Sequence, residues 1–313
     1  MKKAVIAMSG GVDSSVAALL MKNEGYTCVG ATMQLYIEGD CSDAKAVADK
    51  LGMPFYIFPL KEEFKKLVID KFIECYENGK TPNPCVECNR TLKFGAMIDK
   101  MHELDADFVV TGHYARVVFE DGEYKLKKAV DESKDQSYFL YMLTQDQLKH
   151  IKFPLGEYTK PKIREIAEEN DLITARKKDS QDICFIPDGK YAEFIEAYAN
   201  KKYPEGNFID TSGNILGTHR GIIRYTIGKR KGLGLALPEP MYVTKVDCEN
   251  NNVILGVHSE LFSKTLTASK INLISQETIE TPIRVKAKIR YRQKPEWATA
   301  VQTDTETLKI EFD

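Results

Sequence analysis

A loop near the amino terminus has the composition of a phosphate-binding loop. Residues 9–14 read Ser-Gly-Gly-Val-Asp-Ser and follow an apolar run, residues 3–8, that predicts a buried strand. An apolar-rich helix is predicted from about Ser14, and Gly25 can end it. Successive backbone N–H groups and a helix N-terminus can hold a phosphate, and adjacent glycines let the backbone approach it. A Gly-rich turn that binds no nucleotide is the alternative.

Three of the seven cysteines lie in polar or turn-rich sequence. Cys85 and Cys88 form a Cys-x-x-Cys pair before a helix expected near Thr91, and Cys184 lies in residues 179–186. A position close to a helix N-terminus favours the thiolate. Bystander thiols, a metal site and a pair of sulfur-handling nucleophiles all remain open, although a zinc site needs four ligands and no second such pair is present. The other four are expected to be buried or have no assigned role: Cys28, Cys75, Cys248 and Cys41.

The elements that must position these residues alternate between strand and helix. Further strands are predicted at 27–34, 55–58 and 107–111, and helices are predicted from Ser42 to before Gly52 and along Phe64, Leu67, Val68, Phe72 and Cys75. Such alternation predicts an α/β fold with a doubly wound parallel sheet. After a helix that includes Tyr191 and Tyr198, short strands separated by Gly, Asn and Pro take over. We therefore expect a boundary near residue 204 and a carboxyl-terminal β-barrel or sandwich.

Composition limits the class of protein. The chain has 313 residues, 43% of them hydrophobic and 29% charged, which is typical of globular proteins of more than one domain. No apolar run is long enough to span a membrane or to form a signal peptide. Reduced cysteines and the absence of such segments predict a cytoplasmic protein without a membrane partner. The net charge of −2 means that a polyanion would have to be bound by local basic patches.

Two such basic patches are present in the second half of the chain. From residue 282 onward apolar and charged residues alternate, which predicts one strand with a fully cationic face. A phosphate backbone or plain solvent could face that strand. Residues 211–238 contain no acidic residue and several cations. The cations of the two patches are Arg284, Lys286, Lys288, Arg290, Arg292 and Lys294, and Arg220, Arg224, Lys229, Arg230 and Lys231.

The loop at residues 9–14 resembles the PP-loop of ATP pyrophosphatases, which split ATP between its α and β phosphates. Together with residues 81–89, 111–114, 134–138, 179–186, 225–235 and 290–293, it makes nearly the whole chain similar to the bacterial tRNA-specific 2-thiouridylase family. That resemblance implies a PP-loop catalytic domain, a small central domain and a C-terminal β-barrel. We place these at 1–203, 204–263 and 264–313, and we expect the barrel to be truncated.

The resemblance also implies the chemistry and the residues that perform it. ATP with Mg²⁺ adenylates the 2-carbonyl of the wobble uridine in tRNAs of the Lys, Glu and Gln type. Cys184 carries a persulfide supplied by a cysteine desulfurase or a sulfur-relay protein, and Cys88 attacks it, releasing sulfide or forming a disulfide with Cys184. Asp13 helps to place Mg²⁺. The implied nucleotide-binding residues are Ala7, Met8, Ser9, Gly10, Gly11, Val12, Asp13, Ser14, Met33 and Gly112; the implied tRNA-binding residues are Asn83, Pro84, Cys85, His113, Lys134, Asp135, Gln136, Arg290 and Tyr291.

One departure from the family opens a different mechanism. Cys85 stands where most members have an aspartate that contacts the target base. Three thiolates, Cys85, Cys88 and Cys184, could then hold a [4Fe–4S] cluster with one open iron in place of a persulfide relay. Two other functions also remain open at this level: a PP-loop amide or amine ligase, of the lysidine synthetase type for example, and a nucleotide-sensing RNA-binding protein without turnover.

Overall fold

The computed structural model describes residues 1–36, 41–178 and 183–313. Its first part is built on a parallel five-stranded sheet in the order β3-β2-β1-β4-β7, with β5 and β6 forming a separate antiparallel pair. The predicted parallel sheet is confirmed. The strands are β1 Lys3–Ala7, β2 Thr27–Gln34, β3 Phe55–Pro59, β4 Phe108–Val110, β5 Ala115–Glu120, β6 Glu123–Lys128 and β7 Ile151–Lys152.

Strand β1 is central because both of its faces are apolar. Ala4 and Ile6 are fully buried on the side of the first helix, where they pack with Val16. Val5 points to the other side and packs with Met97. Burial on both faces is typical of a parallel sheet covered by helices, and it places the end of β1 and the following loop at the carboxyl edge of the sheet.

Helices cover both faces of this sheet. They are α1 Val12–Asn23, α2 Ser42–Lys50, α3 Lys61–Phe64, α4 Asp70–Glu77, α5 Pro84–Cys88, α6 Met97–Glu103, α7 Gln145–Lys149, α8 Lys160–Glu169 and α9 Tyr191–Tyr198. Wider π-helical turns at Lys65–Ile69 and Asn89–Ala96 join α3 to α4 and α5 to α6.

The helix that carries the Cys-x-x-Cys pair begins earlier than the sequence suggested. We expected a start near Thr91, but α5 begins at Pro84 and continues through the π-helical turn into α6. Proline is well suited to the first helical position, where its missing N–H would have no intrahelical partner. Both Cys85 and Cys88 are therefore helical residues, placed on adjacent turns of one face by their i, i+3 spacing.

Two smaller sheets follow. The first has the order β10-β11-β8-β9 and encloses Phe208, Val243 and Leu255; the second is antiparallel, has the order β12-β15-β14-β13 and encloses Ala300 and Ile310. The strands are β8 Gly206–Asp210, β9 Ile215–His219, β10 Tyr242–Asp247, β11 Asn252–Gly256, β12 Thr265–Ser269, β13 Ile283–Ala287, β14 Glu296–Asp304 and β15 Thr307–Phe312.

The predicted cationic strand face is wrong in its extent. Strand β13 ends at Ala287, and the chain then turns, since the backbone N–H of Gln293 donates to the carbonyl of Arg290 at 3.2 Å. The Gln293 side chain accepts from the N–H of Ile289 at 3.1 Å, which stabilises the turn. Only two cations of the stripe remain on the strand, Arg284 and Lys286, and the Arg284 guanidinium is paired with the side-chain carboxylate of Asp313 at 2.8 Å.

Candidate active site

The phosphate-binding loop lies between β1 and α1, as predicted. Gly10 has a φ of 72°, a conformation that glycine adopts without strain. The Ser14 hydroxyl donates to the carbonyl of Gly11 at 3.1 Å and accepts from the N–H of Ser9 at 3.2 Å. Among the described residues no side chain caps the N-terminus of α1, which leaves its first N–H groups directed at the loop. This is an arrangement suited to binding phosphate oxygens.

Gly112 lies against this loop. A Cβ atom at Gly112 would be 2.8 Å from the carbonyl carbon of Asp13 and 2.8 Å from the nitrogen of Ser14. Only glycine fits this position, because β4 brings the backbone of residue 112 into contact with the first turn of α1. Three other residues of the implied nucleotide set, Ala7, Met8 and Met33, lie on or just after β1 and near the end of β2, so the structure brings the whole set to one edge of the sheet.

The carboxylate of Asp13 is held by two side chains. It accepts a hydrogen bond from the Tyr114 hydroxyl at 2.8 Å and pairs with the ammonium of Lys160, whose Nζ lies 2.7 and 2.8 Å from its two oxygens. Lys160 is buried, so this ion pair is shielded from solvent on the lysine side. A second lysine, Lys177, donates to the carbonyl of Gly10 at 3.0 Å. Sequence reasoning missed both lysines.

The three candidate cysteines differ in exposure. Cys88 is buried, while Cys85 and Cys184 are exposed. Burial raises the pKa of the Cys88 thiol to about 11, against the opposing charge of Lys93. Desolvation likewise raises the pKa values of Cys85 and Cys184. The expectation that the helix N-terminus favours a thiolate is therefore wrong for this state of the protein, because desolvation outweighs it.

The same three thiols lie close enough to interact electrostatically. Besides burial and the effect of Lys93, the charges of Cys184 and Cys85 contribute to raising the pKa of Cys88. Cys88 also packs in one apolar cluster with Phe185, the residue that follows Cys184. Distant parts of the sequence thus meet at one place, as the resemblance implied. Residues 179–182 of the motif around Cys184 lie outside the described residues.

Lys93 is a further residue that sequence reasoning missed. It follows Cys88 within the π-helical turn, and its charge lowers the pKa of Cys88, Cys85 and Cys184. Burial, and then the charge of Lys93, lower the pKa of His113 well below its usual value, so this imidazole is neutral at physiological pH. The Lys93 ammonium is therefore positioned to stabilise negative charge on sulfur.

Five of the expected tRNA-binding residues lie in two segments that adjoin, residues 134–136 and residues 290–291. Tyr291 packs on Phe139, with ring centroids 4.5 Å apart, and the Tyr138 hydroxyl donates to the carbonyl of Ile289 at 3.2 Å. The segment with Arg290 and Tyr291 therefore lies beside the one that contains Lys134, Asp135 and Gln136. Asp135 is itself buried.

Several of the expected tRNA-binding residues are already bonded within the protein. Asp135 accepts from the Ala129 N–H at 3.0 Å and from the Ser137 hydroxyl at 2.7 Å. Nδ1 of His113 is 2.7 Å from the Thr111 hydroxyl. Asn83 and Pro84 begin helix α5, directly before Cys85. The side chains of Asp135 and His113 thus have partners within the protein and help to hold the surrounding backbone.

In the described part of the chain, no group of three or more His, Cys, Asp or Glu side chains is arranged to hold a metal ion. No helix among the described residues is long and apolar enough to cross a membrane.

Comparison with known proteins agrees with this geometry. Family models match residues 2–188, a tRNA methyl transferase HUP domain; residues 192–257, a tRNA methyl transferase PRC-barrel domain; and residues 263–313, an aminomethyltransferase β-barrel domain. A protein of Clostridioides difficile (strain 630) named tRNA-specific 2-thiouridylase MnmA is 48% identical over 327 residues, which cover all of this chain and 91% of that protein. A protein of the same name from Acetivibrio thermocellus is 48% identical over all of this chain and 92% of its own length.

Solved structures resemble the chain only distantly. NMN synthetase from Francisella tularensis matches with 17% identity and a TM-score of 0.39, over 65% of this chain and 79% of that one. The assignment therefore depends on the sequence relatives and the domain matches. On these, the chain belongs to the tRNA-specific 2-thiouridylase family.

Proposed function

We propose that this protein is an ATP-dependent tRNA-uridine 2-sulfurtransferase that converts the wobble uridine of Lys-, Glu- and Gln-type tRNAs to 2-thiouridine. The observation that carries the proposal is the meeting of two cysteines that are distant in sequence, Cys88 and Cys184, in a domain that also has a phosphate-binding loop before α1. Membership in the thiouridylase family supports the same substrate and the same product.

The first step uses the phosphate-binding loop. The N–H groups at the start of α1 and the hydroxyl of Ser14 hold the phosphates of ATP, while the 2-oxygen of uracil attacks the α-phosphorus and pyrophosphate leaves. Asp13 is the residue that would hold Mg²⁺, which supplies charge neutralisation at the phosphates when bound. The uracil oxygen becomes part of an AMP leaving group, so carbon 2 can accept sulfur.

The second step uses the cysteines. A cysteine desulfurase or a relay protein leaves a persulfide on Cys184, whose terminal sulfur attacks carbon 2 and displaces AMP. The Cys88 thiolate then attacks the Cys184 sulfur, forms a disulfide and releases 2-thiouridine. Lys93 stabilises the thiolate of Cys88, which burial would otherwise suppress. Reduction of the Cys88–Cys184 disulfide by an external thiol restores the enzyme.

A [4Fe–4S] cluster on Cys85, Cys88 and Cys184 is the alternative way to deliver sulfide. The three thiols do interact, but the described residues do not include a metal-binding group of three such side chains. The cysteines as placed do not fit a cluster, so we route no step through iron. Cys85 then takes the place at the target base, next to Asn83 and Pro84 at the start of α5.

The three parts of the chain would share the tRNA. We keep the proposed division at 1–203, 204–263 and 264–313, with nucleotide chemistry in the first part and RNA contacts from all three. A cytoplasmic location suits thiols that must be reduced after each turnover.

Mass spectrometry of the nucleoside product tests the proposal. The purified chain is incubated with ATP, Mg²⁺, unmodified tRNA of the Glu type, a cysteine desulfurase with cysteine, and a thiol reductant. We expect 2-thiouridine and an equal amount of AMP, with no product from Cys88→Ser or Cys184→Ser. Cys248→Ser, which changes a partly buried thiol in the turn after β10, is the matched control and should retain activity.

Other outcomes would point to the rival functions. In a parallel incubation with lysine and a tRNA that has a wobble cytidine, lysidine in the product would indicate an amine ligase. AMP formation that does not require tRNA would indicate a small-molecule ligase, and the absence of any turnover would indicate a nucleotide sensor.

A further inference from the structure

We propose that Tyr114 and Lys160 are positioning residues that couple the nucleotide site to the tRNA-binding segment, residues 131–136, which includes the expected tRNA-binding residues Lys134, Asp135 and Gln136. Each substrate then changes the affinity for the other. The inference depends on the proposed function, because it takes ATP and tRNA as the two ligands. It starts from the two partners of the Asp13 carboxylate, which come from different elements of the fold.

The first link runs through Tyr114. Its hydroxyl donates to Asp13 at 2.8 Å, and its backbone is bonded twice to Gln136. The Tyr114 N–H donates to the Gln136 side-chain oxygen at 3.0 Å, and the Gln136 N–H donates to the Tyr114 carbonyl at 2.8 Å. One buried tyrosine thus holds both a residue of the phosphate loop and a residue of the tRNA-binding segment.

The second link runs through Lys160. Its ammonium pairs with Asp13 at 2.7 Å, and its backbone N–H donates to the carboxylate of Asp131 at 3.0 Å. The carbonyl of Asp131 accepts from the N–H of Lys134 at 3.0 Å, and Lys134 is the first of the expected tRNA-binding residues in this segment. Both partners of Asp13 therefore end in the same segment, residues 131–136.

The surroundings leave little room for these links to relax independently. A Cβ at Gly112 would be 2.8 Å from the backbone of Asp13, and a Cβ at Gly156 would overlap the carbonyl of Ala115, the residue after Tyr114. The N–H of Val130 donates to the carbonyl of Gly156 at 2.9 Å. A close-packed backbone passes a displacement on to its neighbours, because there is no empty space in which the displacement could relax.

The consequence follows from linkage. If tRNA shifts the segment at residues 131–136, the position and partners of Asp13 change, and so does the affinity of the loop for phosphate. The reverse effect of the nucleotide on tRNA must have the same size, because coupling free energy is reciprocal. An enzyme whose two sites are coupled in this way cleaves ATP chiefly when tRNA is bound.

Equilibrium binding measures this coupling without chemistry. The probe is α,β-methylene-ATP, which cannot be split between the α and β phosphates, and its Kd is measured with and without saturating unmodified tRNA. We expect tRNA to tighten nucleotide binding by about fivefold or more in the parent protein, the lower end of ordinary allosteric coupling. The measure of coupling is the ratio of the Kd without tRNA to the Kd with tRNA. In Tyr114→Phe, which keeps the ring and removes the hydroxyl, this ratio should fall towards one.

Two further variants make the outcome decisive. Asp131→Ala removes the acceptor of the Lys160 backbone N–H at a position outside the expected ATP-binding and tRNA-binding sets, so it should also lower the ratio. Tyr26→Phe removes a hydroxyl from a tyrosine that packs on Phe108 within the same domain, and it should leave the ratio unchanged.

A ratio of one in the parent protein, or an unaltered ratio in both Tyr114→Phe and Asp131→Ala, would overturn the coupling. The formation of 2-thiouridine by the parent protein is measured separately. Its absence would overturn the proposed function, so failure of one is distinguishable from failure of the other.

Discussion

Alkylation of Cys88 should be slow at neutral pH and should accelerate as the pH rises. The thiolate is the reactive form, and burial raises the pKa of this thiol to about 11. At pH 8 the thiolate is then about one part in a thousand, since each unit below the pKa costs a factor of about ten. The rate should consequently increase about tenfold per pH unit between pH 7 and pH 10.

Removal of the neighbouring cation should slow the reaction further. Lys93 is the group whose charge lowers the Cys88 pKa against burial, so Lys93→Met should raise that pKa and reduce the rate several-fold at every pH below it. Lys93→Arg keeps the charge and should react nearly as the parent does. Lys100→Met is the matched control, because Lys100 pairs with Glu103 at 2.7 Å on the following helix.

Peptide mass spectrometry after timed exposure to iodoacetamide follows Cys88 alone, in a background with Cys85 and Cys184 changed to serine. A rate that has already levelled off by pH 8 would show that Cys88 has a low pKa and would refute the argument from burial. Equal rates in the parent and in Lys93→Met would refute the role of Lys93.

Three other perturbations have clear expected outcomes. Gly112→Ala should lower tRNA-dependent AMP formation by about 100-fold, the usual cost of misplacing reacting groups by about 1 Å, because its Cβ would lie 2.8 Å from Asp13; unchanged AMP formation would remove Gly112 from the site. Arg290→Ala should reduce the slope of log tRNA affinity against log salt by about one. Arg284→Ala should change that slope less, since Arg284 is paired with Asp313, and equal slopes in the two would contradict this. Iron-free parent protein should be active and Cys85→Ser should keep that activity; an iron-containing parent whose iron and activity are both lost in Cys85→Ser would favour the cluster.

The sheet and the nucleotide loop could be predicted because their signals are local. Strand β1 is a short apolar run followed at once by glycines, and both features depend only on neighbouring residues. The same holds for Gly112, which follows the predicted strand β4. The start of α5 was also within reach, since Asn83 and Pro84 are typical of the residue before a helix and of its first position. The surrounding Thr-Pro-Asn-Pro sequence suggested a loop instead.

Other features depend on contacts that a linear pattern does not contain. Lys160 reaches Asp13 across 147 positions of sequence, and Lys177 reaches Gly10 across 167. The burial of Cys88 is likewise set by Phe185 from a distant segment. The prediction of a long cationic strand was wrong because a local pattern was present without the structure that it predicts. The alternation of apolar and charged residues continues past Ala287, but the strand ends there and residues 289–293 form a turn.

The unequal exposure of Cys88 and Cys184 gives the proposed sulfur transfer a direction. Of these two thiols, a bulky donor protein can touch only Cys184, which lies at the surface. Cys88 is enclosed by apolar side chains and is shielded from the donor. Sulfur would therefore be loaded on Cys184 and pass from there to the uridine, and a peroxide molecule would meet the loading cysteine before it met Cys88. The buried position of Cys88 would thus protect its thiol from early oxidation, and that thiol would act only after the sulfur has been attached to the uridine.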